Sequence, residues 1–121
     1  MSAADELAAL YEQWRNLTED EGRSVEAGDW SEVENFQSAK RRLQPRISEV
    51  SQRLDAETHE HQFRPVVEGL MELERRNSAT LLRKRRAAER QRLELDQASR
   101  NLRQLHKSYV PPSRTHWQSY S

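Results

Sequence analysis

The stretch AGDWSEVENF, residues 27–36, stands out in a chain otherwise made of long charged helical patterns. Gly28 occupies a position where a helix commonly ends in a left-handed residue, because glycine adopts a positive φ without steric cost. Asp29, followed three positions later by Glu32, is typical of a capping box that opens a new helix. The stretch therefore predicts a corner as short as two residues. A connection of that length favours an antiparallel αα-hairpin.

Apolar residues on both sides of this corner recur at steps of three and four, the spacing of one helical face. They predict helix one over about residues 3–27 and helix two over about residues 30–56. Helix two carries a heptad seam in which only Lys40 is polar. We expect the stem of Lys40 to lie along the seam while its ammonium emerges at the edge. Pro45 should bend this helix.

A second corner is predicted at ETHEHQFRP, residues 57–65, because Thr58 can cap a helix and Pro65 suits a first turn. Beyond it, alternating steps of four and three predict a third helix over about residues 59–109, with Asn77 as a polar residue in its seam. At about 1.5 Å per residue this helix would be roughly 75 Å long, about twice the length of either other helix.

The predicted fold class is therefore all-α. We expect an antiparallel three-helix, coiled-coil-like bundle whose long third helix overhangs an αα-hairpin. Residues 1–109 would form a single helical domain. Residues 110–121 contain Pro111 and Pro112 and no further periodicity, so they predict a flexible, disordered tail.

The composition favours narrow apolar seams along long helices, because 34% of the residues are hydrophobic and 33% are charged. That leaves too little apolar surface for a thick core. No apolar run approaches the ~18 residues of a membrane span, and the first residues lack a signal-peptide pattern. We therefore expect a cytoplasmic protein without a membrane span. The chain has no cysteine, which excludes disulfides, thiolate zinc sites and cysteine catalysis.

Motifs for catalysis or cofactor binding are missing from the sequence. It contains no nucleophile elbow, no glycine-rich phosphate loop and no paired histidines at zinc-protease spacing. His59 and His61 have acidic neighbours and are the best metal ligands on offer, but residues two apart do not share a helical face. We interpret both as solvated corner residues. The prediction is a protein that is not an enzyme and that holds no metal or cofactor.

Charge is distributed unevenly along a chain of zero net charge. Residues 1–36 hold ten acids and two bases, whereas residues 75–107 hold eleven bases and three acids. This asymmetry favours contact between unlike segments or an anionic partner. The basic run within residues 75–92 is similar to a nucleic-acid-binding helix. Its bases lie around several faces, however, and no aromatic residue interleaves for base stacking, so nucleic acid is the weakest alternative.

The overhanging part of helix three, roughly residues 85–109, carries an apolar stripe. Burying one leucine is worth about 1.5–3 kcal/mol, so something should cover this face. A second copy, a partner's helix, or helix one after splaying of the bundle would each do so. The predicted partner-binding residues are Leu95, Ala98, Leu102, Leu105 and Tyr109.

Three features together resemble the FlgN-like flagellar export chaperones, with the FliT-like group as the nearest alternative. They are a first helix that ends in AGDWSEV, a seam through LQPRI, and a long third helix containing ELERRNSATLL. The resemblance covers roughly residues 5–109. Asn77 matches the asparagine of the family within ERRN, where a polar seam residue can set helix register. The strongly basic third helix departs from the acidic character of many such chaperones.

The resemblance implies a non-enzymatic, cytoplasmic chaperone of type III secretion in flagellum biogenesis. Such a protein holds hook-filament junction proteins by their helical C-terminal segments and delivers them to the export apparatus. It also implies that cargo binds the third helix, where the apolar stripe lies. Such a chaperone is expected to be monomeric or a weak homodimer through helix three when it is free. The main alternative is a structural coiled-coil protein that forms a stable homo-oligomer through the same stripe.

Overall fold

The structure, a computed structural model, describes residues 2–109, apart from the side chain of Tyr109. Its regular elements are three α-helices: α1 spans Ala3–Ala27, α2 spans Trp30–Ser51 and α3 spans Ala56–Tyr109. The all-α prediction is confirmed for this part of the chain. The predicted tail, residues 110–121, lies outside the described residues.

The corner between α1 and α2 consists of Gly28 and Asp29. Gly28 has φ 71°, the left-handed conformation that ends α1. The Asp29 side chain accepts a hydrogen bond from the Glu32 N–H at 3.2 Å and so caps α2. The reciprocal half of the expected capping box is not formed, since the Asp29 N–H already donates to the Ser24 carbonyl at 2.9 Å. The Glu32 carboxylate accepts from Asn35 instead.

The second corner lies earlier in the chain than the sequence predicted. α2 ends at Ser51 rather than near residue 56, and α3 begins at Ala56 rather than at residue 59. Asp55 caps α3, because its Oδ1 accepts from the Thr58 N–H at 2.7 Å. The same hydrogen bond lowers the pKa of Asp55 below its ordinary value. The predicted corner at residues 57–65 was wrong, because an aspartate three positions before Thr58 supplies the cap.

Helix α3 is continuous through Pro65 and Asn77. Pro65 was expected in the first turn, but the early start of α3 places it in the helix interior. Pro45 likewise lies inside α2. Each proline removes one backbone donor, and neither ends its helix.

The chain divides into two compact units, the first ending at Arg83 and the second beginning at Lys84. Within the first unit, residues early in α1 contact residues late in α2, so these two helices run antiparallel. Residues early in α1 contact residues early in α3, so that pair runs parallel. The contacts that fix these directions are Glu6–Arg46, Glu21–Lys40, Tyr11–Phe63 and Glu26–Arg83.

The apolar core of the first unit draws on all three helices. Its buried members are Leu7, Tyr11, Val50, Phe63 and Leu70. The ring of Tyr11 meets Phe63 edge-on, with centroids 5.5 Å apart, and its hydroxyl lies 2.8 Å from Nε2 of His59. Burial raises the pKa of Tyr11. The interpretation of His59 as a solvated corner residue was wrong, because the early start of α3 brings that side chain against α1.

Candidate protein-binding surface

The second unit, described over residues 84–109, exposes large apolar side chains along α3. Leu95, Leu102 and Leu105 are 68%, 67% and 54% exposed. Ala98 is exposed as well. Steps of three and four residues place these four side chains on one helical face. We call this set the leucine stripe.

Leu93 provides an internal reference for the leucine stripe. It is 52% exposed, but it precedes Leu95 by two residues and therefore lies roughly 160° away around the helix. A single exposed leucine is ordinary, whereas four apolar residues in succession along one face mark an interaction surface. The leucine stripe is therefore the best candidate for protein binding in the second unit.

Charged side chains on the part of α3 that carries the stripe have two kinds of partner. Arg92 is held along the helix by Glu89 at 2.6 Å and Asp96 at 3.1 Å. The hydrogen bonds from Arg92 lower the pKa of Glu89, and Glu89 in turn raises the pKa of Arg92. Arg100 donates to the uncharged Gln97 at 2.9 Å, and that hydrogen bond does not neutralise its positive charge. The helix segment that carries the C-terminal part of the stripe is therefore the more basic segment.

The first unit contrasts with this surface, because polar seam residues are enclosed there. Lys40 is only 6% exposed and was wrongly expected to reach solvent at the edge of the seam. Its ammonium lies 2.6 Å from Oε1 of Glu74 and 3.2 Å from Oε1 of Glu21. It also sits 5.3 Å from the centre of the Trp14 ring, within range of a cation–π contact. Two carboxylates from neighbouring helices make burial of this lysine tolerable.

Asn77 joins the same cluster from α3. Its Nδ2 donates to the Thr18 carbonyl at 2.8 Å and to Oε1 of Glu21 at 3.0 Å. A Cβ added at Gly22 would lie only 2.7 Å from Oδ1 of Asn77. The absence of a side chain at Gly22 is therefore what lets the amide approach α1. We call Glu21, Lys40, Glu74 and Asn77 the polar layer.

Two open clefts border the polar layer in the first unit. One, of about 270 Å³, is lined by polar-layer residues together with Gln37, Gln44 and Val25. The other, of about 540 Å³, is more apolar and includes Ile47, Val67 and Met71 in its lining. Met71 is 66% exposed.

Histidines and acids do not converge on a metal site in the described residues, where no group of three such ligands lies close enough together. Over residues 2–109, no helix has the length and apolarity that crossing a membrane demands.

The basic run of α3 is partly neutralised within the chain. Arg75 and Arg76 pair with Glu72, and the two arginines lower the pKa of that carboxyl to about 2. Arg83 pairs with Glu26 of α1 at 3.3 Å. These pairs occupy bases that a phosphate backbone would need, which weakens the case for nucleic acid.

The residues predicted to be functional fall into three separate places in the fold. Leu95, Ala98, Leu102 and Leu105 share one exposed face, while the side chain of Tyr109 lies outside the described residues. Gly28, Asp29 and Glu32 form the corner, and Asn77 belongs to the polar layer. Sequence reasoning missed Glu21, Lys40 and Glu74 as one cluster. The sequence did contain a sign of this cluster. Lys40 falls in the predicted seam of helix two and Glu74 in that of helix three, and opposite charges in two facing seams can pair.

Comparisons with known proteins return no match: no family model, no curated protein and no solved structure is similar to the chain.

Proposed function

We propose that the protein is a non-enzymatic export chaperone of the FlgN-like type. In this role it binds the helical C-terminal segments of flagellar hook-filament junction proteins in the cytoplasm before secretion. The observation that carries the proposal is the leucine stripe, an apolar helical face with Leu95, Leu102 and Leu105 each more than half exposed.

The mechanism is helix-in-groove recognition, in which apolar anchors of an amphipathic segment pack beside the stripe. A cargo helix that displays apolar residues at steps of three and four matches the spacing of the stripe. Packing removes apolar surface of both partners from water, which is the main source of binding free energy. Cargo held in this way cannot use the same face to assemble early.

Charge supplies selectivity beside the stripe. Residues 97–108 contain Arg100, Arg103 and Lys107 and no acid. These bases lie on the outer side of the helix, so they act through long-range attraction: a cargo helix of net negative charge would associate faster at low salt. Cargo with basic flanks would be disfavoured. The predicted partner is therefore an acidic amphipathic helix.

Calorimetric titration with the synthetic C-terminal helix of a hook-filament junction protein from the same genome tests the proposal. Leu102→Glu combined with Leu105→Glu should weaken binding about a hundredfold or more, because two buried leucines are lost and two charges are added. Leu93→Glu is the matched control, since it adds one charge on the opposite face. Equal affinity of wild type and the double variant, both helical by circular dichroism, would refute this assignment of the face.

A further inference from the structure

The leucine stripe has a counterpart earlier in α3, within the first unit. The helix keeps alternating steps of four and three from residue 63 to residue 109, so the stripe lies four heptads beyond this counterpart. The corresponding pairs are Val67 with Leu95, Leu70 with Ala98, Glu74 with Leu102 and Asn77 with Leu105. The two stretches therefore present equivalent positions, and they differ most where the first contributes to the polar layer.

Apolar burial alone would favour the leucine stripe of a second copy on the α1–α2 hairpin. The stripe offers three leucines and an alanine where residues 67–77 offer a valine, a leucine, a glutamate and an asparagine. Shape would not exclude the stripe, because leucine branches at Cγ as the Asn77 beside Gly22 does. The hairpin nevertheless packs against the less apolar stretch, and Leu102 stays 67% exposed.

The acceptor that Glu74 supplies explains half of this choice. Its Oε1 lies 2.6 Å from the ammonium of Lys40, which is 6% exposed. The same oxygen accepts from Nε1 of Trp14 at 3.1 Å and from the Thr18 hydroxyl at 3.2 Å. Leu102 at the equivalent position would offer these donors no acceptor. Removing a partner from a buried charge is strongly destabilising, which opposes the gain from burying a leucine.

The donor that Asn77 supplies explains the other half. Its Nδ2 donates to Oε1 of Glu21 at 3.0 Å and to the Thr18 carbonyl at 2.8 Å. Glu21 is 4% exposed, so solvent does not replace a donor that is lost there. Leu105 at the equivalent position would place a methyl group against this carboxylate, and a buried acceptor without its donor is costly.

We propose that the polar layer is a selectivity device, through which the α1–α2 hairpin accepts residues 63–81 of α3 and rejects the leucine stripe of a second copy. Recognition depends on charge and hydrogen bonding, because apolar area favours the wrong stretch. This role goes beyond the proposed function and does not depend on which cargo the stripe takes.

Such a device matters because every copy carries both a hairpin and a stripe. Capture of one stripe by the hairpin of the next copy would be a heterologous contact, and contacts of this kind can add copies without closing. The short connection of residues 52–55 favours the stretch of the same chain through its high effective concentration. That advantage fades as copies become crowded, whereas the mismatch with the polar layer does not.

Making the hairpin side of the polar layer apolar tests the proposal. Glu21→Leu combined with Lys40→Leu turns the leucine stripe into the better match. In sedimentation at increasing concentration, the full-length double variant should therefore associate about tenfold more tightly than the wild type, or better. Adding Leu102→Glu and Leu105→Glu should return association to the wild-type level or below. Adding Leu93→Glu, on the opposite face of the helix, should leave it high.

Glu34→Leu combined with Arg41→Leu is the matched control, because it also replaces one acid and one base by leucines. This pair lies in solvent, with its charged atoms 3.1 Å apart. The control variant should associate less than the layer variant, and Leu102→Glu with Leu105→Glu should not change its association.

Three results would overturn the proposal. They are wild-type association of the layer variant in a helical chain, tight association that survives Leu102→Glu with Leu105→Glu, and equal association of the control variant. If circular dichroism shows that the double leucine variant does not fold, Glu21→Gln with Lys40→Met removes the same charges at nearly the same side-chain lengths and is judged by the same outcomes. None of these measurements uses the junction-protein helix, so this proposal and the proposed function can fail separately.

Discussion

The polar layer and the leucine stripe both contain residues of α3, yet they differ in what surrounds them. In the polar layer, buried Lys40 and Glu21 meet the partly exposed Glu74 and Asn77, and Lys40 is 6% exposed. In the leucine stripe, apolar residues face outward, and Leu102 is 67% exposed. The first unit thus buries polar groups while the second exposes apolar ones.

The contrast indicates that whether a seam residue is buried depends on the side chains available around it and not on its residue type alone. Glu21 and Glu74 supply the charges that make a buried lysine acceptable. Over residues 84–109, by contrast, the three leucines of the stripe each remain more than half exposed. The first unit thus closes around its buried charges, whereas the second unit, as described over residues 84–109, leaves apolar side chains open.

Removing the charge at the centre of the polar layer should have the largest effect on stability. Lys40→Ala leaves Glu21, which is 4% exposed, without its cation. Breaking a buried pair in this way costs about 3–5 kcal/mol. Denaturant unfolding of the variant and the wild type measures the difference.

Arg41→Ala is the matched control for Lys40, because Arg41 is the next residue and pairs with Glu34 in solvent. Exposed pairs of this kind contribute at most about 1 kcal/mol. If both substitutions cost the same, the polar layer is not the buried ion cluster described above.

Filling the gap between α1 and α3 should have an intermediate effect. Gly22→Ala places a methyl group 2.7 Å from Oδ1 of Asn77, so the amide must move away from Thr18 and Glu21. Overpacking costs about 1–3 kcal/mol, and alanine returns up to about 1 kcal/mol of helix propensity. The expected net loss is about 1–2 kcal/mol in the same unfolding experiment.

Gly69→Ala serves as the control for Gly22, because a methyl group there meets no atom within 4 Å. It should stabilise the protein by about 0.5–1 kcal/mol through helix propensity alone. Both variants replace a helical glycine by alanine. A loss of stability at Gly22 together with a gain at Gly69 would therefore locate the close helix contact at Gly22. Stabilisation by both would show that Asn77 does not need that space.

The corner, the helical class and the stripe could be predicted from the sequence, whereas the polar layer could not. Gly28 and Asp29 act locally, so their residue types are sufficient to locate the corner. The start of α3 was missed because Asp55 and Thr58 can each cap a helix, and only the wider packing selects Asp55. Burial of Lys40 depends on Glu21 and Glu74 arriving from two other helices, a long-range fact that periodicity within α2 does not contain.

A smaller effect on stability is expected at Tyr11, which is a buried residue of the core of the first unit. Tyr11→Phe removes the hydrogen bond to His59 and should cost about 0.5–1.5 kcal/mol at neutral pH. Burial raises the pKa of Tyr11 because the charged phenolate is disfavoured in the core. Its stabilising contribution is therefore present below pH ~10 and is lost as the pH rises through the raised pKa.

The free energy of unfolding of the wild type and of the Tyr11→Phe variant can be compared from neutral to strongly alkaline pH. The difference between the two isolates the contribution of the Tyr11 hydroxyl from the titration of other groups. The gap in stability should narrow as the pH rises past ~10, because only the wild type has a buried phenol to ionise. A gap that stays constant over that range would contradict burial of the hydroxyl.

The smallest effect on stability is expected in the leucine stripe. Leu102→Glu changes an exposed residue and should alter the free energy of unfolding by no more than about 0.5 kcal/mol. Circular dichroism during denaturation, at concentrations low enough to suppress self-association, checks this. A loss as large as that of Lys40→Ala would mean that the stripe is part of the folded core.

Amide hydrogen exchange, with and without the C-terminal helix of a hook-filament junction protein, can locate the binding surface along the chain. We expect the peptide to slow exchange across residues 91–108, around the leucine stripe, and to leave the amides of the polar layer unchanged. Added protection confined to the first unit, with residues 91–108 unaffected, would contradict the division into a closed scaffold and an open binding helix.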